Sequence, residues 1–282
     1  MSLKGRVVVV TGGARGMGRA IVNGFVAEGS KVVAIDRSWE GVDDLGNKVE
    51  PRKDALSLTV NLADEEQIAQ SFRATMDAFG TVDVVVNNAG YRQRDVVPWT
   101  VINVLDIPKE DWQRAYDINI MAPLLMVKHF IGPMRQKRAG SIIQISSDSG
   151  VRGRPGNQPY GATKAALTNW SQSLADELKP DNIAVNCVFP AGTRTTGWEE
   201  QTRLAAERRA RTAPYMVAPY TPESVVPITL FLAQQNAQLT GRSFPLADWN
   251  LEHGVGGVET WAAIELDSFD ESRQYKHPPF IR

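Results

Sequence analysis

The chain has 282 residues, with 31 Lys+Arg against 32 Asp+Glu, 43% hydrophobic and 22% charged side chains. That composition excludes a disordered or collagen-like chain, and a net charge of -1 argues against general nucleic-acid affinity. The single cysteine, Cys187, can close no intrachain disulfide and cannot alone build a zinc site. No apolar run approaches the roughly 20 residues that a bilayer span needs. The N-terminus enters a Val-rich run without the apolar stretch and small-residue cleavage site of a signal peptide. The expectation is a cytoplasmic protein with no metal, no membrane and no nucleic acid among its partners.

Short β-branched runs alternate with longer helical patterns along the chain. Strands are expected at 7–10, 31–35, 82–86, 141–145 and 183–188, and helices at 19–28, 65–79, 109–138 and 160–179. The strand runs are apolar on both faces, which suits parallel strands covered by helices on either side. Strand–helix alternation implies βαβ units, an α/β fold and a doubly wound parallel sheet. At roughly 100–200 residues per domain the length allows one domain or two. No linker-like stretch divides the first 190 residues. We expect one domain over 1–249, with variable loops at 91–108 and 194–222, and a C-terminal tail over 250–282 that serves as a lid or an inter-subunit extension.

Ligands of such sheets sit at the carboxyl ends of the strands. After the first strand comes Thr11-Gly12-Gly13-Ala14-Arg15-Gly16-Met17-Gly18, then a helix. Glycines there let the backbone turn and approach a pyrophosphate resting on the positive helix N-terminus. The plain alternative is a packing turn; the place between strand and helix favours a dinucleotide site. The loop lacks the Lys-Ser/Thr ending of a P-loop. The second strand ends at Asp36, twenty residues past Gly16. An acid there accepts ribose hydroxyls and repels a 2′-phosphate, favouring NAD, whereas Arg15 and Arg37 suit that phosphate and leave NADP open.

Tyr160 and Lys164 share one face of the expected helix at i, i+4 spacing, with Asn157 as expected N-cap and Pro159 in the first turn. A free phenol titrates at about 10, and a neighbouring ammonium favours the phenolate. Such a pair can exchange a proton near neutral pH. Ser146-Ser147 ends the preceding strand, and a hydroxyl there can bond the same substrate oxygen. Pro123 supplies no N–H to the carbonyl of Asn119, four residues earlier. A kink is expected, with that carbonyl free to hold a water relaying a proton from Lys164.

These residues resemble the short-chain dehydrogenase/reductase family. The resemblance covers about residues 3–245: the TGxxxGxG loop at 11–18, Asn87-Asn88-Ala89-Gly90 after a strand, Asn119, Ser147 thirteen residues before Tyr160, and YxxxK at 160–164. It implies a Rossmann fold and an oxidoreductase acting on a CH–OH group. It implies four catalytic roles: Tyr160 as acid/base, Ser147 stabilising the substrate oxygen, Lys164 binding the nicotinamide ribose and assisting Tyr160, and Asn119 sustaining the proton relay. The thirteen-residue offset selects Ser147 over Ser146. Cofactor contacts are implied for Gly12, Arg15, Gly16, Met17, Gly18, Asp36, Arg37, Asn61, Leu62, Asn88, Ala89 and Gly90. Tyr160, Lys164, Pro190, Thr193 and Thr195 join them around the nicotinamide. A homo-oligomer, tetramer or dimer, is also implied.

The chain departs from the family pattern at three places. Asn61 stands where an acid usually approaches the adenine, Pro190-Ala191-Gly192 replaces Pro-Gly, and the last strand lacks its usual Asp-Gly-Gly ending. Substrate specificity is expected from the variable segments, through Trp99, Trp198 and Tyr215, with Trp261, Phe269, Tyr275 and Phe280 in the tail. Aromatic lining suits a cyclic or aromatic secondary alcohol or its ketone, although any one of these rings is more simply a loop anchor. Arg92, Arg94, Arg152 and Arg154 lie in loops near the expected cleft and can attract an anion, although a solvated surface role is simpler. Two other readings are a catalytically silent dinucleotide-binding scaffold or sensor, for which Tyr160 and Lys164 have no use, and a Rossmann-like methyltransferase, which leaves the same pair unexplained.

Overall fold

A computed structural model describes residues 2–41, 48–92, 104–153, 157–190, 192–193 and 220–263. Seven parallel strands form one sheet: β1 (Val7–Thr11), β2 (Lys31–Asp36), β3 (Leu56–Thr59), β4 (Val84–Asn87), β5 (Gly140–Ile145), β6 (Ile183–Phe189) and β7 (Ser243–Pro245), in the order β3-β2-β1-β4-β5-β6-β7. The order reverses between β1 and β4, which opens a crevice at their carboxyl ends. β1, β4, β5 and β6 are buried along their whole length, as expected for strands covered on both faces.

Alternate strand residues feed two apolar layers. On one face, Val8, Val10, Val84, Val86 and Ile143 meet α1 (Gly16–Ala27), α6 (Val226–Ala233) and α7 (Leu246–Glu252) through Ile21, Phe25, Ile228, Leu232 and Trp249. On the other, Val9, Val33, Val85 and Ile142 meet α2 (Glu65–Phe79), α4 (Ala122–Lys137) and α5 (Gln158–Leu178) through Ile68, Met126, Phe130, Leu174 and Leu178. Phe25 and Phe130 are fully buried, each worth about 1.5–3 kcal/mol in removal from water. α5 faces its own sheet through Leu174 and Leu178.

Two local expectations are corrected. Residues 109–138 do not form one α-helix: α3 (Lys109–Tyr116) passes through a π turn, Asp117–Met121, into α4. The widened turn accommodates Pro123, the second residue of α4, whose ring would clash with a regular preceding turn. Asn157 occupies the N-cap position of α5, yet its side chain makes no cap bond there. Its amide instead donates to Ser149 Oγ at 3.4 Å.

The expected domain boundary falls inside α7, where Asn250 is buried and donates to the Ser224 carbonyl at 3.1 Å. Trp249 stacks on His253 with ring centroids 4.1 Å apart. After α8 (Val258–Trp261), the Trp261 carbonyl accepts from Thr221 N–H at 2.7 Å. No helix among the described residues is long and apolar enough to cross a membrane. No group of His, Cys, Asp or Glu among them could hold a metal ion.

Candidate active site

The crevice between β1 and β4 is laced together by Thr11. Its hydroxyl oxygen accepts Asn88 N–H at 3.0 Å and Ala89 N–H at 3.1 Å, while Asn88 Nδ2 donates back to the Thr11 carbonyl at 2.9 Å. Across that lacing runs the glycine loop. A Cβ on Gly18 would lie 1.8 Å from the Gly12 carbonyl oxygen, and Gly12 itself has φ of 68°. Side chains are thus excluded where loop and helix meet, and backbone is left facing the crevice.

α1 begins at Gly16 with no side-chain cap and no acid in its first turn. Its first N–H groups and the positive end of its dipole are left for an anion. Asp36, at the end of β2, accepts Ala14 N–H at 3.0 Å and Arg37 N–H at 2.7 Å. Arg15 reaches the Glu40 carbonyl, and Arg37 is exposed. Met17 packs against the core. Asn61 is exposed, with its oxygen accepting Ala63 N–H at 3.2 Å, and the Leu62 side chain joins the core. These residues fit a dinucleotide: a backbone cradle closed to side chains, an uncapped helix start for the pyrophosphate, and a carboxylate at the ribose position.

Lys164 is buried, and its Nζ donates to the Ile145 carbonyl at 2.7 Å while lying 5.6 Å from the centre of the Tyr160 ring. Burial pushes the ammonium below its ordinary range, the Tyr160 phenol pulls it up, and Arg92 pushes it further down. Both Lys164 Nζ and Asn119 Oδ1 lie within 4 Å of the Cβ position of Gly90, at 3.7 and 3.5 Å. Fully buried in the π turn, Asn119 accepts Tyr91 N–H at 2.7 Å and donates to the Tyr91 carbonyl at 3.0 Å and to Thr163 Oγ1 at 2.9 Å. Thr163 in turn donates to the Tyr160 carbonyl at 2.8 Å. Asn119 therefore ties the loop after β4 to the first turn of α5.

The adjacent serines have different surroundings. Ser146 is tied to α5, through the Lys164 carbonyl at 3.1 Å and Thr168 Oγ1 at 2.8 Å. Ser147 accepts Ser149 N–H at 3.1 Å and holds a long 3.3 Å bond to Asp148 Oδ1. Only Ser147 has a hydroxyl that a substrate oxygen could recruit without breaking a contact to α5. Cys187, on β6, is buried, and burial pushes its thiol up to about 11. Pro190 is half-buried, and Thr193 bridges to Tyr220. Thr195, Trp99, Trp198, Tyr215, Arg94 and Arg154 lie outside the described residues.

Sequence reasoning missed Tyr91, whose hydroxyl donates to Asp111 Oδ1 at 2.8 Å, and Thr163. Thr163 sits inside the YxxxK motif, which was a signal left unread.

Comparison with known proteins agrees with this geometry. The short chain dehydrogenase family model matches residues 6–205. The chain is 36% identical over 275 residues to fluoren-9-ol dehydrogenase of Terrabacter sp. (strain DBF63), covering 93% of this chain and 76% of that one. It is 32% identical over 244 residues to the 3-oxoacyl-acyl-carrier-protein reductase FabG of Thermotoga maritima, covering 86% of this chain and 96% of that one. A strand-end glycine cradle, a Tyr–Lys helix and a family match spanning both place the chain in the short-chain dehydrogenases, as an oxidoreductase acting on a CH–OH group.

Proposed function

We propose that the chain is an NAD-dependent oxidoreductase interconverting a secondary alcohol and its ketone, with a cyclic or aromatic substrate. The observation that carries the reading is the convergence of Lys164 and Asn119 beside Gly90, just after β4, with the Tyr160 ring centre 5.6 Å from Lys164 Nζ. Bound nicotinamide supplies or accepts the hydride. The rest falls to this chain's residues. In oxidation Tyr160 takes the hydroxyl proton from the substrate, and in reduction it returns it. Ser147 turns its hydroxyl from Asp148 toward the substrate oxygen and offsets the charge that develops there. Lys164 holds the ribose, with its ammonium 5.6 Å from the centre of the Tyr160 ring. Asn119 fixes the loop and helix that carry these groups.

Asp36 supports NAD over NADP, because a carboxylate at the end of β2 repels a 2′-phosphate. The likeness to fluoren-9-ol dehydrogenase supports a flat, ring-bearing substrate. Exposed Leu105 before α3, Tyr116 at the end of α3 and Met121 in the π turn support a homo-oligomer. The test is turnover of a panel of cyclic and aromatic secondary alcohols with NAD and with NADP, for the wild type and Tyr160→Phe. NAD is expected to serve better, and Tyr160→Phe to lose at least about a hundredfold in turnover. Unchanged turnover by Tyr160→Phe overturns the mechanism.

A further inference from the structure

Tyr91 is held by Asn119, Asp111 and Arg114. Asn119 takes both its backbone N–H and its carbonyl, Asp111 takes its hydroxyl, and the Arg114 guanidinium lies 5.6 Å from its ring centre. A residue fixed this firmly determines where the next one goes. That next residue is Arg92, whose guanidinium carbon lies 5.6 Å from the centre of the Tyr160 ring. Within about 6 Å a guanidinium over an aromatic face is attracted by the ring's negative quadrupole. The ring of Tyr160 thus carries two cations, Lys164 from its own helix and Arg92 from the loop after β4.

We propose that Arg92 is a positioning residue of this site, stabilising the negative charge that passes between the substrate oxygen and the Tyr160 oxygen during the reaction. The inference rests on the proposed role of Tyr160. A guanidinium stays charged throughout the working pH range, and this one already lies over the Tyr160 ring. A charge placed in advance beside a developing anion lowers the barrier without costing reorganisation. The contribution therefore belongs to kcat rather than to binding.

The experiment compares Arg92→Met and Arg92→Lys on any alcohol that the wild type oxidises, with cofactor saturating. Methionine keeps an apolar stem against the ring without the charge; lysine keeps the charge without the planar fork. Arg92→Met is expected to lose about tenfold in kcat with the cofactor Kd unchanged, and Arg92→Lys to stay within about threefold of the wild type. Tyr91→Phe, which frees the anchor from Asp111, is expected to lower kcat by a smaller factor at constant Kd. Wild-type kcat in Arg92→Met, or equal losses in the Met and Lys variants, overturns the role of the charge. Tyr160→Phe runs alongside: if it keeps its turnover, the proposed function fails, whereas an inactive Tyr160→Phe beside a fully active Arg92→Met removes only the inference about Arg92.

Discussion

The first turns of α1 and α2 are built in opposite ways. α2 is closed by its own residues: Asp64 accepts Glu66 N–H at 3.0 Å and Gln67 N–H at 3.2 Å, Glu65 and Glu66 follow, and Gly80 ends the helix in a left-handed turn. α1 starts on Gly16 with no side-chain cap and no acid. A helix start without a side-chain cap leaves its first N–H groups to other partners; α5 also begins without a cap bond, so the open start of α1 matters through its place. One helix start is closed by its own carboxylate, and the other is left open beside the glycine loop. What sets α1 apart is its place: its open start follows β1, beside the point where the strand order reverses.

The sharpest way to break this contrast is Gly18→Val. Its Cβ would fall 1.8 Å from the Gly12 carbonyl oxygen, so the loop must move. We expect dinucleotide affinity to fall by more than about tenfold, with about 1–3 kcal/mol of lost stability, read by calorimetry and thermal melting. Asp36→Ala should have a smaller effect, weakening NAD about tenfold while leaving NADP little changed; titration with each cofactor checks it. Asp64→Ala should have the smallest effect and a different kind of effect, lowering the melting temperature by about 2–4 °C with unchanged cofactor affinity.

Acid provides a second probe of the α2 cap. Bonds from the Gln67 backbone, the Gln67 side chain and the Glu66 backbone hold the Asp64 carboxyl below its ordinary 3.8. Its folded value is thus depressed. The cap's contribution is present above the ordinary value and is lost as pH falls through the depressed one. Asp64→Ala should therefore melt less differently from the wild type as the solution is acidified.

The sheet was legible because Val7–Val10 and the runs like it are short, β-branched and apolar on both faces, as covered parallel strands are. β3 was faint: Leu56-Ser57-Leu58-Thr59 is half polar and only partly buried. The glycine loop and the Tyr160–Lys164 spacing were legible because both are local in the chain. Contacts between distant residues were not. Tyr91 meets Asn119 across 28 residues, and Asn119 meets Thr163 across 44, with no periodicity to announce either. Apart from the family's thirteen-residue offset, the sequence left the two serines alike. What separates them is α5 packed against Ser146, a tertiary contact with no local mark. Asn157 illustrates the reverse: a good capping residue at the right position whose amide turned to Ser149 instead.

The most direct test follows a deuterium atom. A secondary alcohol deuterated at its carbinol carbon is incubated with NAD and either the wild type or Tyr160→Phe. The wild type is expected to move deuterium to the nicotinamide ring, and the variant to do so at least about a hundredfold more slowly, while binding NAD equally well. Equal rates of deuterium transfer in the two proteins would contradict the assignment of Tyr160 and the mechanism built on it.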